Sequence, residues 1–151
     1  MAIDVLSELE ANVGKSFTSE SAYAWCKAYT KDRASNFYYA FSILPREKRE
    51  AIYAAYAFSG YVDDIADELT DRGQQEDEIG LARERLRACY AGVREGPLFT
   101  ALGDAIERCG RVLPLAAVWR GAGVSHRAGA IEENGDVCLV VFHVWFLSFV
   151  D

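Results

Sequence analysis

The sequence predicts an all-α fold over residues 20–109, and three features of the chain indicate it. Apolar residues in this stretch recur three and four positions apart, the spacing that forms the buried face of a helix. No alternating apolar and polar pattern typical of a strand occurs before residue 110. Pro45 and the Gly96-Pro97 pair divide the stretch into segments of helical length. We therefore expect a partial helical bundle with about five helices.

The bounds of these helices follow from residues that start or stop a helix. Ser19 is the expected N-cap of the first helix, and Pro45 suits the first turn of the third. Gly110 is the expected C′ residue that ends the fifth helix. The predicted helices cover residues 20–32, 35–43, 46–70, 78–94 and 98–109.

The fourth helix is predicted to follow a loop. The stretch from Thr70 to Asp77 is polar and contains a glycine, a composition typical of loops. Apolar residues then return at helical spacing, and we expect them to face inward: Ile79, Leu86, Tyr90 and Val93.

Composition and charge exclude several classes of protein. The net charge is -7, with 16 basic and 23 acidic residues and no basic stripe, so nucleic acid is not an expected partner. The four cysteines form no CxxC motif, which predicts reduced core thiols rather than a zinc site or a disulfide framework. The longest apolar run, from Val137 to Val150, is shorter than the roughly 18 to 20 residues that span a bilayer. The N-terminus has no basic start followed by an apolar run, so we expect a cytoplasmic protein.

An acidic segment, Asp63-Asp64-Ile65-Ala66-Asp67, stands at the end of an apolar helix. Asp63 and Asp67 lie one turn apart on the same face, where two like charges repel each other. They continue the stripe of Ile52, Tyr56 and Gly60, so we expect them to extend the buried face. Burying an acidic pair without a counterion is costly.

A bound magnesium ion explains this pair of carboxylates better than a solvated helix face does. Mg²⁺ is bound in proteins by one or two carboxylates together with substrate phosphates and waters. The sequence therefore predicts a Mg²⁺-dependent diphosphate site with Asp63 and Asp67 as metal ligands. The alternative is that the acidic segment is a solvated helix face, which is the usual role of such clusters.

The C-terminal tail, residues 111–151, differs in character from the rest of the chain. It contains no lysine or tyrosine but both histidines, His126 and His143, and glycines interrupt its helical periodicity. Our hypothesis is that the tail is an out-of-frame or miscalled segment without a selected fold. The alternative is a short buried strand near residues 137–142, which are rich in β-branched and aromatic residues. Neither histidine is assigned a function.

Residues 25–68 resemble the squalene/phytoene synthase family of head-to-head trans-isoprenyl diphosphate synthases. A DDxxD motif alone would be weak, but three further blocks stand upstream of it and make the match specific. The upstream blocks are Ser35-Asn36-Phe37-Tyr38-Tyr39-Ala40-Phe41, Leu44-Pro45-Arg46-Glu47-Lys48-Arg49 and Ala51-Ile52-Tyr53-Ala54-Ala55-Tyr56-Ala57-Phe58. The motif itself lies in Val62-Asp63-Asp64-Ile65-Ala66-Asp67-Glu68. A weaker similarity continues to about residue 109 and then ends. The resemblance therefore covers only the N-terminal half of the family's fold, within residues 1–110.

The resemblance implies an isoprenoid synthase helical bundle around an apolar cavity. The implied reaction condenses two prenyl diphosphates, farnesyl or geranylgeranyl diphosphate, 1′–1 to squalene or a phytoene-type product. The implied cofactor is Mg²⁺, with Mn²⁺ as a substitute, and NADPH is needed only if a reductive second step follows. Because the implied product is apolar, its release would suit a protein that associates peripherally with a membrane.

The resemblance also assigns site residues in this chain. The implied catalytic residues are Asp63, Asp67 and Tyr56, of which the two aspartates bind the metal. The implied substrate-binding residues are Ser35, Asn36, Phe37, Phe41 and Asp64. For Phe41 and Tyr56, simple core packing is an equal alternative.

Several departures from the family pattern bear on activity. Gly60 stands where the family usually has an arginine that pairs with the diphosphate, and Ala34 and Asn36 stand where serines often contact phosphate. The family's second aspartate-rich helix and YCYxVAG-like segment are absent from the sequence. We therefore expect this truncated chain to be inactive in isolation. Two other hypotheses remain: a non-catalytic relative that acts as a lipid-binding or assembly-factor scaffold, and a generic helical bundle with an acidic surface patch.

Overall fold

The computed structural model describes residues 7–8, 11–12 and 14–109, and it is all-helical over these residues, as predicted. Five helices follow one another over residues 14–109, residues 7, 8 and 11 are also helical, and no strand occurs in the described ranges. They are α1 (Ser19–Arg33), α2 (Ser35–Ser42), α3 (Arg46–Glu68), α4 (Arg72–Tyr90) and α5 (Gly96–Cys109). The C-terminal tail lies outside the described residues, as does Gly110, so the predictions made for them stay predictions.

Side-chain caps set where α1 and α4 begin, and they correct two predictions. The Thr18 hydroxyl accepts a hydrogen bond from the backbone N–H of Ser21 at 3.2 Å, so Thr18 rather than Ser19 is the N-cap of α1. The Asp71 carboxylate accepts one from the N–H of Gln74 at 2.9 Å. Because this cap starts α4 at Arg72, the loop predicted from Thr70 to Asp77 is wrong for most of its length.

A Schellman motif ends α4 at Tyr90, earlier than the predicted residue 94. Gly92 has a φ of +97°, a left-handed conformation that glycine adopts without strain. The N–H of Val93 donates to the carbonyl of Ala88 at 2.9 Å, and the N–H of Gly92 donates to that of Cys89 at 3.1 Å. Tyr90 and Val93 are consequently 40% and 46% exposed, so the prediction that both face inward is wrong.

The chain turns into α5 at Gly96-Pro97, where a break was predicted. Gly96 has a φ of +66°, and Pro97 occupies the first turn, in which its missing N–H costs nothing. The two residues therefore begin α5 rather than precede it.

Helix α3 is the centre of the described fold. It packs against α1, α2 and α4, and its middle turns, residues 51–58, are buried on almost every side. Five of its buried residues are large: Ile52, Tyr53, Phe58, Tyr61 and Ile65. Alanines fill the positions between them, which lets neighbouring helices approach closely.

Helix α5 joins this core through Phe99, which is 1% exposed. Its ring meets those of Phe58 and Tyr61 edge to face, with centroids 6.2 and 6.1 Å apart. Aromatic pairs at this distance and angle add to the energy of burial.

A polar network ties α1 and α5 to the first turns of α3. The Tyr23 hydroxyl donates to Asp104 at 2.8 Å, and the Nε of Arg108 lies 2.8 Å from the same carboxylate. The Nη2 of Arg108 donates to Glu50 of α3 at 3.0 Å. We call these four residues the basal network. Glu50 and Asp63 are about 20 Å apart along the helix at 1.5 Å per residue, so the network lies far from the acidic segment.

Cys26 and Cys89 are free, buried thiols, as predicted. Burial raises the pKa of the Cys89 thiol to about 11, so it stays protonated at neutral pH. Within the described ranges, no helix combines the length and the apolar character needed to cross a bilayer.

We expect Phe99→Ala to destabilise the fold by about 3–5 kcal/mol, the cost of emptying a buried aromatic site. The measurement is the free energy of unfolding in urea. Ile43→Ala is the control, because Ile43 is 85% exposed and its truncation leaves no cavity. Equal unfolding free energies for the two variants would contradict the packing of α5 on α3.

Candidate functional site

The acidic segment occupies the last two turns of α3, and its three carboxylates differ in exposure. Asp64 is 4% exposed, Asp63 is half-buried and Asp67 is exposed. Asp63 and Asp67 were expected to extend the buried stripe together, and this is wrong for Asp67. The reason is the place where α1 ends. Its last residue, Arg33, pairs with Asp64, which lies three residues before Asp67 on α3.

Asp64 forms an ion pair with Arg33 at the end of α1, in which the carboxylate is buried and the guanidinium is partly exposed. The Nη2 of Arg33 donates to both carboxylate oxygens, at 2.7 Å to Oδ1 and 2.6 Å to Oδ2. Partial burial lowers the pKa of Arg33, but the hydrogen bonds to Asp64 and the electrostatic attraction of Tyr29, Asp64 and Glu68 together outweigh this and raise it overall. The resemblance assigned Asp64 to substrate binding. Its geometry instead favours a positioning role, since both oxygens already accept from Arg33.

Sequence reasoning missed Arg33. Its partner is 31 positions away in the sequence, on another helix, so no local spacing connects the two residues. The available hint was chemical: a carboxylate expected in a buried stripe requires a cation. Arg33 stands in the last turn of α1, where a basic residue is favoured by the helix dipole.

Tyr29 fills the space beside Gly60. A Cβ placed on Gly60 would lie 1.9 Å from the Tyr29 hydroxyl oxygen, far inside the distance at which real atoms approach. The Tyr29 ring is fully buried, stacks on Trp25 at 5.6 Å and lies under the Arg33 guanidinium at 5.3 Å. Burial, and the nearby Asp64 carboxylate, raise the pKa of Tyr29, so its hydroxyl stays neutral.

A group of aromatic rings continues from Tyr29 toward α2. The Tyr56 ring is half-buried, with centroids 6.4 Å from Tyr29, 6.1 Å from Phe37 and 6.5 Å from Phe41. Phe41 is only 2% exposed, which fits the core-packing alternative. Phe37 is half-buried, so Phe37 and Tyr56 are the two rings at the edge of this group.

Ser35 and Asn36 form the exposed first turn of α2, directly after Arg33 and Ala34. No side chain caps this helix, so its first N–H groups point away from any capping oxygen. The sequence neighbours of Arg33 thus carry polar groups that are open to solvent.

The carboxylates fit a magnesium ion only if other ligands complete its shell. The described part of the chain contains no group of three or more histidine, cysteine, aspartate or glutamate residues that could hold a metal. Asp63 and Asp67 are one turn apart, and Asp67 makes no hydrogen bond or ion pair with another described residue. Two carboxylate ligands, with phosphate oxygens and waters in the remaining positions, are an arrangement that Mg²⁺ accepts.

Comparison with protein families matches residues 30–120 to squalene/phytoene synthase. The chain belongs to the squalene/phytoene synthase family. The match extends past residue 109, where the resemblance was expected to end. No solved structure matches the chain.

Curated relatives of this family member carry related names. The phytoene synthase of Mycobacterium tuberculosis is 35% identical over 92 residues, which are 59% of this chain and 29% of that protein. The presqualene diphosphate synthase of Rhodopseudomonas palustris is 45% identical over 58 residues, 38% of this chain and 21% of that protein. The 4,4'-diapophytoene synthase of Staphylococcus haemolyticus is 44% identical over 50 residues, 33% and 18% of the two chains. The chain therefore aligns with less than a third of the length of each of these relatives.

Gly60 is a departure from the family pattern that the structure explains in part. An arginine at this position would have to pass through the volume that Tyr29 fills. The glycine at residue 60 and the tyrosine at residue 29 are therefore sterically coupled in this family member.

Two glycine-to-alanine variants test this coupling. Gly60→Ala should destabilise the fold by about 1–3 kcal/mol, the cost of overpacking, because its Cβ collides with Tyr29. Gly80→Ala in α4 is the matched control, since nothing lies within 4 Å of its Cβ. It should stabilise the fold by about 0.5–1 kcal/mol through the higher helix propensity of alanine. Thermal unfolding followed by circular dichroism measures both, and a Gly60→Ala protein as stable as Gly80→Ala would refute the close approach.

Proposed function

We propose that this chain carries the part of a head-to-head prenyl diphosphate synthase site that binds one prenyl diphosphate through Mg²⁺. The observation that carries the proposal is the carboxylate pair of Asp63 and Asp67 on a family member's α3. The pair begins about two helical turns beyond half-buried Tyr56, and Asp67 is open to a ligand.

The burial gradient along α3 suits an amphiphilic substrate. Its apolar chain would lie toward Tyr56 and Phe37, and its diphosphate would lie at the exposed carboxylates. Such a molecule needs an apolar and an anion-binding region in one groove. Farnesyl and geranylgeranyl diphosphate are the candidates.

The residues of this chain would divide the chemistry between them. When bound, Mg²⁺ would supply the positive charge that stabilises the departing diphosphate. Asp63 and Asp67 would hold that ion, and Mn²⁺ would serve as a substitute. The rings of Tyr56 and Phe37 would face the allylic cation left behind, which aromatic faces stabilise without reacting with it. Ser35 and Asn36, exposed on the first turn of α2, would donate hydrogen bonds to phosphate oxygens.

The product under this proposal is a squalene-type or phytoene-type hydrocarbon precursor formed by 1′–1 condensation. NADPH enters only if a reductive step follows. The full condensation needs two prenyl diphosphates, whereas this chain contributes one carboxylate pair. We therefore expect the isolated chain to bind a Mg²⁺-diphosphate without completing turnover. Peripheral contact with a membrane would serve release of the apolar product.

A second candidate is a non-catalytic family member that binds lipids or assists assembly. The Gly60 position favours it, because a neutral tyrosine fills the space of the arginine that the resemblance implies. The two candidates differ in metal dependence. A scaffold would bind prenyl chains equally well with Mg²⁺ and with a chelator.

Calorimetry with farnesyl diphosphate tests the proposal. Asp63→Asn and Asp67→Asn should each weaken Mg²⁺-dependent binding by at least the roughly tenfold to hundredfold that loss of an outer-shell partner already costs a metal site. Asp77→Asn is the matched control, because Asp77 is an exposed helical carboxylate on α4. It should bind like the unmodified chain.

Two results would count against the enzyme assignment. One is binding by the unmodified chain that EDTA leaves unchanged, which supports the scaffold. The other is unchanged affinity in Asp63→Asn and Asp67→Asn. Thermal unfolding of Asp67→Asn should match that of the unmodified chain, since Asp67 is exposed.

A further inference from the structure

We infer that Arg33 is the diphosphate-binding cation of this site, supplied from α1 and held in place by Asp64. The inference rests on the proposed function, and it names a residue that the sequence motifs do not contain. It follows from the way in which Arg33 is anchored, from the donors it leaves unused and from the closure of position 60.

One nitrogen of the Arg33 guanidinium is bonded to Asp64, and the other two remain available as donors. A guanidinium group has five N–H donors in a fixed plane. Nη2 donates to both oxygens of Asp64, while Nε and Nη1 donate no hydrogen bond to any described residue. The Arg33 side chain is 30% exposed, against 5% for Asp64. The charge is therefore fixed in direction yet accessible, and Nε and Nη1 can each donate to an oxygen of a bound anion.

Arg33 reaches α3 at the turn that carries the first proposed metal ligand. Asp64, its partner, follows Asp63 directly, and side chains of neighbouring helical residues project about 100° apart. The ion pair therefore lies at the same turn of α3 as the Asp63 carboxylate, on the adjoining face. A diphosphate with one oxygen on the metal could place another against Nε or Nη1 of Arg33.

Tyr29 orients the guanidinium from below. Its ring lies 5.3 Å from the Arg33 carbon Cζ, within the range of a cation–π contact. The same side chain closes position 60, where a Cβ would come within 1.9 Å of the tyrosine oxygen. A cation thus has no room to enter from α3 at residue 60, and α1 provides one instead.

Electrostatics make such a cation necessary. The chain has a net charge of -7, and the segment from Asp63 to Glu68 holds four acidic residues. An incoming diphosphate is repelled by this charge even after a metal ion binds. Arg33 offsets that repulsion at the point where the anion would arrive.

The test compares affinities for inorganic diphosphate in the presence of Mg²⁺, measured by calorimetry on the full chain. Arg33→Gln alone would take the neutralising charge from buried Asp64 and mix a loss of stability with a loss of binding, so the main variant is Arg33→Gln with Asp64→Asn. This pair removes both charges, keeps the net charge and retains hydrogen-bonding groups. It should lose roughly tenfold or more in affinity, the effect of one charge-assisted hydrogen bond. Arg72→Gln with Glu76→Gln, an exposed pair on α4, is the matched control and should bind normally.

Two further variants separate binding from positioning. Arg33→Lys keeps the charge but loses the planar set of donors, so it should lose less affinity than the neutral pair. Asp64→Asn keeps Arg33 charged but releases it, and should fall between the unmodified chain and the neutral pair. Circular dichroism melts verify that each variant is folded.

The outcomes distinguish this inference from the proposed function. If the unmodified chain binds diphosphate with Mg²⁺ and the folded neutral pair binds equally well, Arg33 is not the cation, and the proposed function stands. If the unmodified chain binds none, the proposed function fails and the inference fails with it. Repeating the titration with farnesyl diphosphate should give the same ranking of variants, because the shared group is the diphosphate.

Discussion

A carboxylate buried near the end of α3 constrains the arrangement of the first three helices. Asp64 is 4% exposed, and an isolated charge at such a depth is strongly unfavourable. Arg33 compensates for it, and this fixes the end of α1 against α3. The fixed end of α1 in turn carries Tyr29 onto Gly60 and starts α2 at Ser35. Removing Arg33 would take its charge away from a buried carboxylate, so the local structure depends on both residues.

From this constraint follows a graded surface along α3. The helix is enclosed through its aromatic middle, half-covered at Tyr56 and Gly60, and open at Asp67. The residues of this stripe share one face on a helical wheel, but their surroundings change from apolar to aqueous over a few turns. Under the proposed function, that change corresponds to the two halves of a prenyl diphosphate. The acidic residues would then have different roles, since Asp64 binds Arg33 while Asp63 and Asp67 would hold a metal ion.

How far the sequence predicted the structure depended on whether each feature was local. The start of α3 was predicted because Pro45 acts on its own neighbours, and the number of helices followed from periodicity. The start of α4 was missed because the polar residues after Asp71 resemble a loop in composition, although one carboxylate caps them into a helix. Periodicity placed Asp63 and Asp67 on one face correctly, but it carries no measure of how far a neighbouring helix reaches. The Arg33–Asp64 pair and the Tyr29–Gly60 contact depend on tertiary packing, and no spacing rule within a single helix could reveal them.

The basal network gives the two ends of α3 unequal resistance to motion. At the Glu50 end, charged and hydroxyl groups from α1, α3 and α5 form three linked contacts. At the Asp64 end, Arg33 links α1 to α3 through a guanidinium that is 30% exposed. Thermal fluctuations should therefore pivot α1 about its N-terminal half, with the largest excursions beside the acidic segment. Amide hydrogens beside the acidic segment would exchange with solvent sooner than those near Tyr23. This end of α1 would then adjust to a bound ligand while the basal network stays intact.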